Sequence, residues 1–450
     1  MTTLLPILSL VLGATEPEAT AGVRPLDPFD EAGLADSLWR HSPDLQAARE
    51  GLIEAEAASE RGHLLPNPTL SATWGTIPVG ERNPPGTAFA DIPNYGVGLS
   101  QLIELGKRGP RQAAAEAGAK AASLSLLDLF RQDFFMLLES LADQASSCAR
   151  RAVLERLVAD SLESLRLQRE RSERGDVAAL EVDRLEVEHL RLRSEEREAE
   201  ENQENTLGMC SRILGAECPR FATEEAARRF LFESRGDLPR DDRELIARRP
   251  DLQALQATES ALQAEMVLAG RSKIPDPTAS LGFVHDQFLI AGNQANSLTL
   301  SLSFPLPVFD HGQVESTRAQ RRLDATIRAR DVLVATAQRA ISLGRRRLDI
   351  LDSRARLLDE DALPRARSLA ERMDAASHKG GASLIDVLLA RRAFEELQLD
   401  RVDVATGAFK ARLDVRRTAA LFPQPWAGRA ASSPAQARLV PDSRVGQPSP

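Results

Sequence analysis

The chain has 450 residues, a formal net charge of −9, 42% hydrophobic and 27% charged residues. Such a composition excludes a polytopic helical membrane protein and a wholly disordered chain. The acidic balance leaves no basic excess to neutralise nucleic-acid phosphates. Aromatic residues are scarce, with Tyr95 the single tyrosine, so a helix-rich chain of Leu, Ala, Glu and Arg is expected.

The first element in chain order is an apolar run over residues 4–14, followed by polar residues 15–20. It is too short to span a bilayer and has the length of a signal-peptide hydrophobic region. No Lys or Arg precedes it, so residues 1–20 read as a degenerate signal peptide. A helix is predicted over 43–65, ending at Pro66. Next, Leu70, Ala72 and Trp74 alternate with Ser71, Thr73 and Gly75; after a Pro/Gly-rich loop, Tyr95, Val97 and Leu99 alternate with Gly96, Gly98 and Ser100. Period-2 patterning of this kind predicts two strands. Large apolar groups on one face and small polar ones on the other suit a transmembrane strand, which needs about 9–11 residues.

Residues 111–218 contain no proline, which permits very long helices because proline costs roughly 3 kcal/mol inside one. A helix over 108–174 carries the apolar stripe Leu124, Leu127, Phe130, Phe134, Leu137, Leu138 and Leu141, continued by Leu154, Leu157, Ser161, Leu162 and Leu165. Glu163 is expected to pair with Arg166 on its outer face. Gly175 marks a tight turn, Arg174-Gly175-Asp176, into a returning helix. Cys210 and Cys218 can close a small loop in an oxidising compartment, or stand as two unrelated thiols; three cysteines are too few for a disulfide scaffold.

The chain then repeats itself. Ser42-Pro43-Asp44-Leu45-Gln46-Ala47 recurs as Arg249-Pro250-Asp251-Leu252-Gln253-Ala254, and Pro66-Asn67-Pro68-Thr69 as Pro275-Asp276-Pro277-Thr278. Gly175 is answered by Gly380-Gly381, beside Lys379. The second unit has its own alternating runs, Ala279-Leu281-Phe283 and Leu298-Leu300-Leu302, and Pro364 is expected to kink or break its long helix. The domains are therefore 31–218 and 241–422, two copies of one unit, with a linker at 219–240 and a disordered Pro-rich tail at 423–450. Each unit reads as helix, β-hairpin and long antiparallel helices. Paired hairpins in a duplicated frame favour membrane strands over an isolated soluble hairpin. A soluble coiled-coil interaction protein explains the helices but not the hairpins.

In both halves, about residues 31–422, the chain resembles the TolC-type outer-membrane efflux family. The resemblance is carried by Arg249-Pro250-Asp251-Leu252, Pro275-Asp276-Pro277 and the hairpin pattern. Gln101-Leu102-Ile103-Glu104-Leu105-Gly106-Lys107-Arg108 and Ser303-Phe304-Pro305-Leu306-Pro307-Val308-Phe309-Asp310 look like its heavy-metal cation efflux (CzcC-like) branch. The resemblance implies a mainly α fold with a small membrane β-barrel. It would be a homotrimer with a twelve-stranded barrel continuous with a periplasmic α-barrel. It implies a passive exit duct in the outer membrane, docked on a periplasmic adaptor and an inner-membrane transporter, with no cofactor. Heavy-metal cations are the expected cargo, organic drugs the alternative.

On the same resemblance, Glu181 and Asp386, each six residues past a turn glycine, would face the pore constriction. Arg174, Gly175, Asp176, Lys379, Gly380 and Gly381 would form the periplasmic tip that meets the adaptor. The next acidic position of the family is Leu389 here, and the tip arginine is Ala382. No GxSxG, HExxH or CxxC occurs and the six histidines are scattered, so neither catalytic chemistry nor a metal site is expected.

Overall fold

The computed structural model describes residues 26–423 except 78, 81–85, 87, 233–237, 239–241, 288–293 and 379–380. The leader at 1–20 and residues 424–450 of the tail lie outside the described residues. The first unit contains α1 (Glu31–His41), α2 (Pro43–His63), β1 (Thr69–Gly75), β2 (Asn94–Leu102), α3 (Arg108–Glu173) and α4 (Ala179–Leu214). Then come α5 (Glu224–Phe232), α6 (Asp242–Ala247) and α7 (Pro250–Arg271), β3 (Thr278–Asp286) and β4 (Asn296–Ser303). The chain closes with α8 (Gln313–Leu357), α9 (Leu363–His378) and α10 (Leu384–Thr418). The fold is mainly helical with one small sheet. The 219–240 stretch read as a linker holds α5, whose Ala227 and Phe230 are fully buried.

The long helices stack into columns. At the end of α4, Gly215 adopts φ +69 and lies on the turn between α1 and α2, where an added Cβ would overlap the His41 carbonyl oxygen and sit 3.1 Å from Pro43. The end of α4 therefore abuts the start of α2, and the two form one interrupted column. The second unit repeats this: Arg249, just before α7, donates from Nη1 to the Thr418 carbonyl at the end of α10, 2.9 Å away. α2 and α4 pack on α3, α3 packs on α7 and α10, and these pack on α8 and α9. The order across the molecule is α2/α4, α3, α7/α10, α8/α9. Proline at the first position of α2 and α7 suits these junctions, since its missing N–H would have no intrahelical partner there.

α3 runs about 100 Å, at 1.5 Å per residue. Its stripe is buried as expected from Leu124 to Leu157 and at Leu165, but Leu162 is 54% exposed. Arg166 pairs with Glu170, 3.5 Å away, one turn on, rather than with Glu163. The main core sits midway along α3, where α1, α5 and α10 converge on Phe130, Phe134, Phe135 and Leu138. Phe230 of α5 is wedged between Phe221 and Phe409, with ring centroids 5.1 and 5.0 Å away. Cys210 and Cys218 form a disulfide with Cα atoms 5.7 Å apart, tying the last turn of α4 to the approach to α5. Ahead of Pro364, residues Leu358–Ala362 form a π-helical turn and the helix continues. The proline without an N–H is absorbed by a wider turn, not by a break.

The sheet has the order β1-β2-β3-β4, antiparallel throughout. Its register aligns Leu70, Leu99, Leu281 and Leu300 in one row and Ala72, Val97, Phe283 and Leu298 in another. Ser71, Gly98, Gly282 and Thr299 form a row on the opposite face. β2 and β3 have 9 residues, within the expected length, while β1 and β4 are shorter at 7 and 8, and β1 ends where Thr76 turns to φ +54.

Candidate functional site

Two regions carry functional geometry: the sheet and the far end of the helices, the tip. On the sheet's apolar face Leu70, Trp74, Val97, Leu99, Leu298 and Leu300 are all between 51% and 81% exposed. A face this apolar cannot remain in water; it is suited to lipid. Trp74 and Tyr95 pair directly at the hairpin-loop end, where amphipathic rings favour a headgroup boundary. β1 and β4 are paired on one side only, leaving two open edges that a barrel would close.

The sheet joins the helices through the strings picked out by resemblance. Asp276 accepts from Lys107 Nζ at 2.8 Å and from the Leu105 backbone N–H at 2.9 Å. Its carboxyl is held below the usual range: burial is the largest single influence and opposes ionisation, but the hydrogen bonds from Lys107 and the Leu105 N–H, with the Lys107 and Arg111 charges, together outweigh it. Arg111 grips Glu104 and donates to the Leu64 carbonyl, 3.2 Å away. Arg249 pairs with Asp251 through Nε and Nη2 at 3.0 and 2.5 Å, and Arg131 donates to the Arg417 carbonyl at 2.6 Å. Two guanidiniums thus satisfy the last carbonyls of α10, where cations are also favoured by the helix dipole.

At the tip, Gly175 has φ +83 and donates to the Ser172 carbonyl at 2.9 Å, while the Asp176 N–H reaches the Arg171 carbonyl at 3.0 Å. Arg174, Gly175 and Asp176 are exposed. Of the second turn, Gly381 is exposed and donates to Ala376 at 2.9 Å; Lys379 and Gly380 lie outside the described residues. Glu181 and Asp386 occupy the same place, the third residue of a returning helix. Asp386 is engaged locally: its Oδ2 accepts from Ser383 Oγ at 2.7 Å, and Ser383 Oγ accepts from the Asp386 N–H at 3.2 Å. This reciprocal cap closes the start of α10. Glu181 is half-buried, in the first turn of α4.

Just inside the tip, α3, α4 and α10 enclose a groove of about 280 Å³ lined by Leu157, Leu185, Leu192 and Leu388, with Glu188 and Glu395 among its polar groups. Arg391 crosses it, donating to Ser164 Oγ at 2.8 Å and to Asp374 at 2.7 Å. Glu188 is bound by Arg191 at 2.6 Å. Burial, and then the neighbouring Glu188 charge, push the Glu395 carboxyl up to about 7. These groups were not singled out from the sequence: Glu188 and Glu395 belong to different units, and no local pattern announces that they meet. Among the described residues no group of three or more His, Cys, Asp or Glu could hold a metal ion. No described helix is long and apolar enough to cross a membrane.

Residues 243–419 match the family described as outer membrane efflux protein. Over that second unit the chain is similar to the family. It is 26% identical over 400 residues, 82% of each chain, to the pyoverdine export outer membrane protein OpmQ of Pseudomonas aeruginosa. Among solved structures, a membrane protein from Pseudomonas aeruginosa superposes with a TM-score of 0.72 at 17% identity, covering 88% of this chain and 93% of that one. The Campylobacter jejuni CmeC outer membrane channel gives 0.71 at 15% identity, covering 88% of each. The chain thus has the fold of these solved membrane proteins, long helices stacked below one small sheet.

Proposed function

We propose that this protein is the passive exit duct of a tripartite pump that exports heavy-metal cations. Three copies would each give four strands to a twelve-stranded barrel, continuous with a periplasmic α-barrel. The tip residues Arg174, Gly175, Asp176 and Gly381, with Lys379 and Gly380, would contact a periplasmic adaptor coupled to an inner-membrane transporter. The observation that carries the duct reading is the exposed apolar face of the sheet, which ends at two unpaired edges.

Glu181 and Asp386 are the proposed constriction. Both sit at the third position of a returning helix, so a trimer would place six carboxylates at one level of the tube. Such a ring attracts cations without a tight site, as conduction requires. The cation cargo also draws on the strings around Lys107 and Asp310. A second cargo reading, an organic molecule, draws on the relative named for pyoverdine export.

Planar-bilayer recordings of reconstituted protein test the constriction. Glu181→Gln with Asp386→Asn, which keeps a capping side chain, should abolish cation preference at unchanged oligomeric state; unchanged preference refutes the constriction. Cargo is read by complementing a channel-deficient host and measuring tolerance to divalent metal salts against organic dyes.

A further inference from the structure

The four helical columns form an open row with two bare flanks, and those flanks carry opposite charge. On one flank α8 has eleven arginines against five carboxylates. Val332, Leu343, Ile350 and Leu357 project from it at spacings of 11, 7 and 7 residues, each 59–68% exposed. These spacings keep one face of a 3.6-residue helix. Arg321, Arg328, Arg339 and Arg346 fall on the same stripe, are exposed, and make no ion pair among the described residues.

On the other flank α2 has five carboxylates against two arginines, and α4 has ten against five. Glu50, Glu54 and Glu60 of α2 make no ion pair among the described residues, and Ile53 between them is 57% exposed. The levels agree as well. The end of α2 lies beside the start of α3, where Arg108 donates to the His63 carbonyl. Across the molecule Glu259 of α7 meets Arg330 of α8 at 2.8 Å, and α7 packs through Ala254 and Ala257 on Leu124 of α3. Counting along α3 from these contacts puts Glu50 and Glu54 about level with Arg328, and Glu60 with Arg321.

We infer that the arginine stripe of α8 docks on the acidic face of α2 in a second copy of this chain, Val332 packing near Ile53. The inference rests on the trimeric duct reading and specifies its contact. Sheet and helices point to the same pair of flanks: α2 leads into the open edge of β1, and α8 follows the open edge of β4. One head-to-tail contact would therefore join β4 to a neighbour's β1 and α8 to the same neighbour's α2. A heterologous contact of this kind repeats until it closes a ring. Opposed charges fix which flank meets which, and like charges on two α8 stripes disfavour a head-to-head pair.

The test uses the full chain extracted from membranes in mild detergent, with oligomeric state read by sedimentation. Arg321→Glu with Arg328→Glu should lower the trimer fraction at least tenfold at low salt. Glu50→Arg with Glu54→Arg should do the same, and the four changes combined should restore the trimer. Rescue by changes on the opposite flank separates a broken interface from a misfolded chain. Trimers unaffected by either pair, or not restored by the combination, overturn the interface while leaving a trimeric duct in place. A wild-type chain that sediments only as a monomer overturns both.

Discussion

Glu395 offers the sharpest quantitative test of the groove near the tip. The perturbation is Glu395→Gln, a neutral replacement of the same shape. Burial and the Glu188 charge raise the Glu395 carboxyl from an ordinary 4.5 to about 7. At about 1.4 kcal/mol per tenfold change in ionisation constant, a fully shielded group would cost roughly 3 kcal/mol when charged. The groove opens partly to solvent, and screening brings this to about 1–2 kcal/mol. The sign follows from the raised value. Above about pH 7 the group is charged in folded and unfolded chains alike, and the folded state bears the full cost. As pH falls from about 7 to 4.5 the folded state takes up a proton that the unfolded state does not, and stability rises. Hydrogen exchange, corrected for intrinsic rates, reads the effect over α4 and α10. At pH 8 the variant should exchange about 5–30 times more slowly than wild type there, the equivalent of 1–2 kcal/mol. At pH 4, below both values, the two should agree. Faster exchange in the variant at pH 8, or an equal ratio at both pH values, refutes the assignment.

Two glycines with similar φ should respond very differently. Gly215→Ala meets the His41 carbonyl and should cost about 4 kcal/mol or more, whereas Gly175→Ala meets nothing within 4 Å and should cost only the left-handed term of about 1–2 kcal/mol; thermal unfolding compares them. Replacing Cys210 and Cys218 by Ser opens a loop with a sequence separation of 8 and should cost about 2–3 kcal/mol by loop entropy. Wild type under reductant should melt like that variant. Arg249→Ala leaves Asp251 and the Thr418 carbonyl without their guanidinium and should cost about 3 kcal/mol; denaturant titration measures it. A loss below about 1 kcal/mol would mean that Arg131 alone holds the end of α10.

How far the fold was legible follows from the range of each interaction. The strands and long helices could be read because their signal is a local period: Leu298, Leu300 and Leu302 differ from Thr299 and Ser301 by one residue, and one residue reverses the face. The tip turn at Gly175 is equally local. The Ser383-x-x-Asp386 cap is a local signal as well, and it engages the same carboxylate that the family resemblance assigns to the pore. The groove was not legible, because Glu188 and Glu395 are brought together only when α4 and α10 pack on α3. The arginine stripe of α8 could have been found by counting, yet its meaning depends on which column ends up at the flank.

The duplicated strings make the same point about geometry. Ser42-Pro43-Asp44 and Arg249-Pro250-Asp251 open the best-matched segments of the two units, and neither lies in a strand. Each opens a helix that abuts the end of another: α2 at Gly215, α7 at Thr418. A column face tolerates any apolar residue of suitable size, whereas a junction must turn the chain, spare an N–H and present a carboxylate to a helix start. The two junctions nonetheless differ at one residue. Arg249 reaches the carbonyls of α10 with a long charged side chain, while the first junction has Ser42 and closes by bringing Gly215 onto the backbone itself. Both solve one problem, the unpaired carbonyls and crowding where two helices meet end to end. One uses a donor to fill the gap and the other a missing side chain to remove it. Exchanging Ser42 for Arg should therefore fail unless Gly215 is given room, because the first junction leaves no gap for a guanidinium.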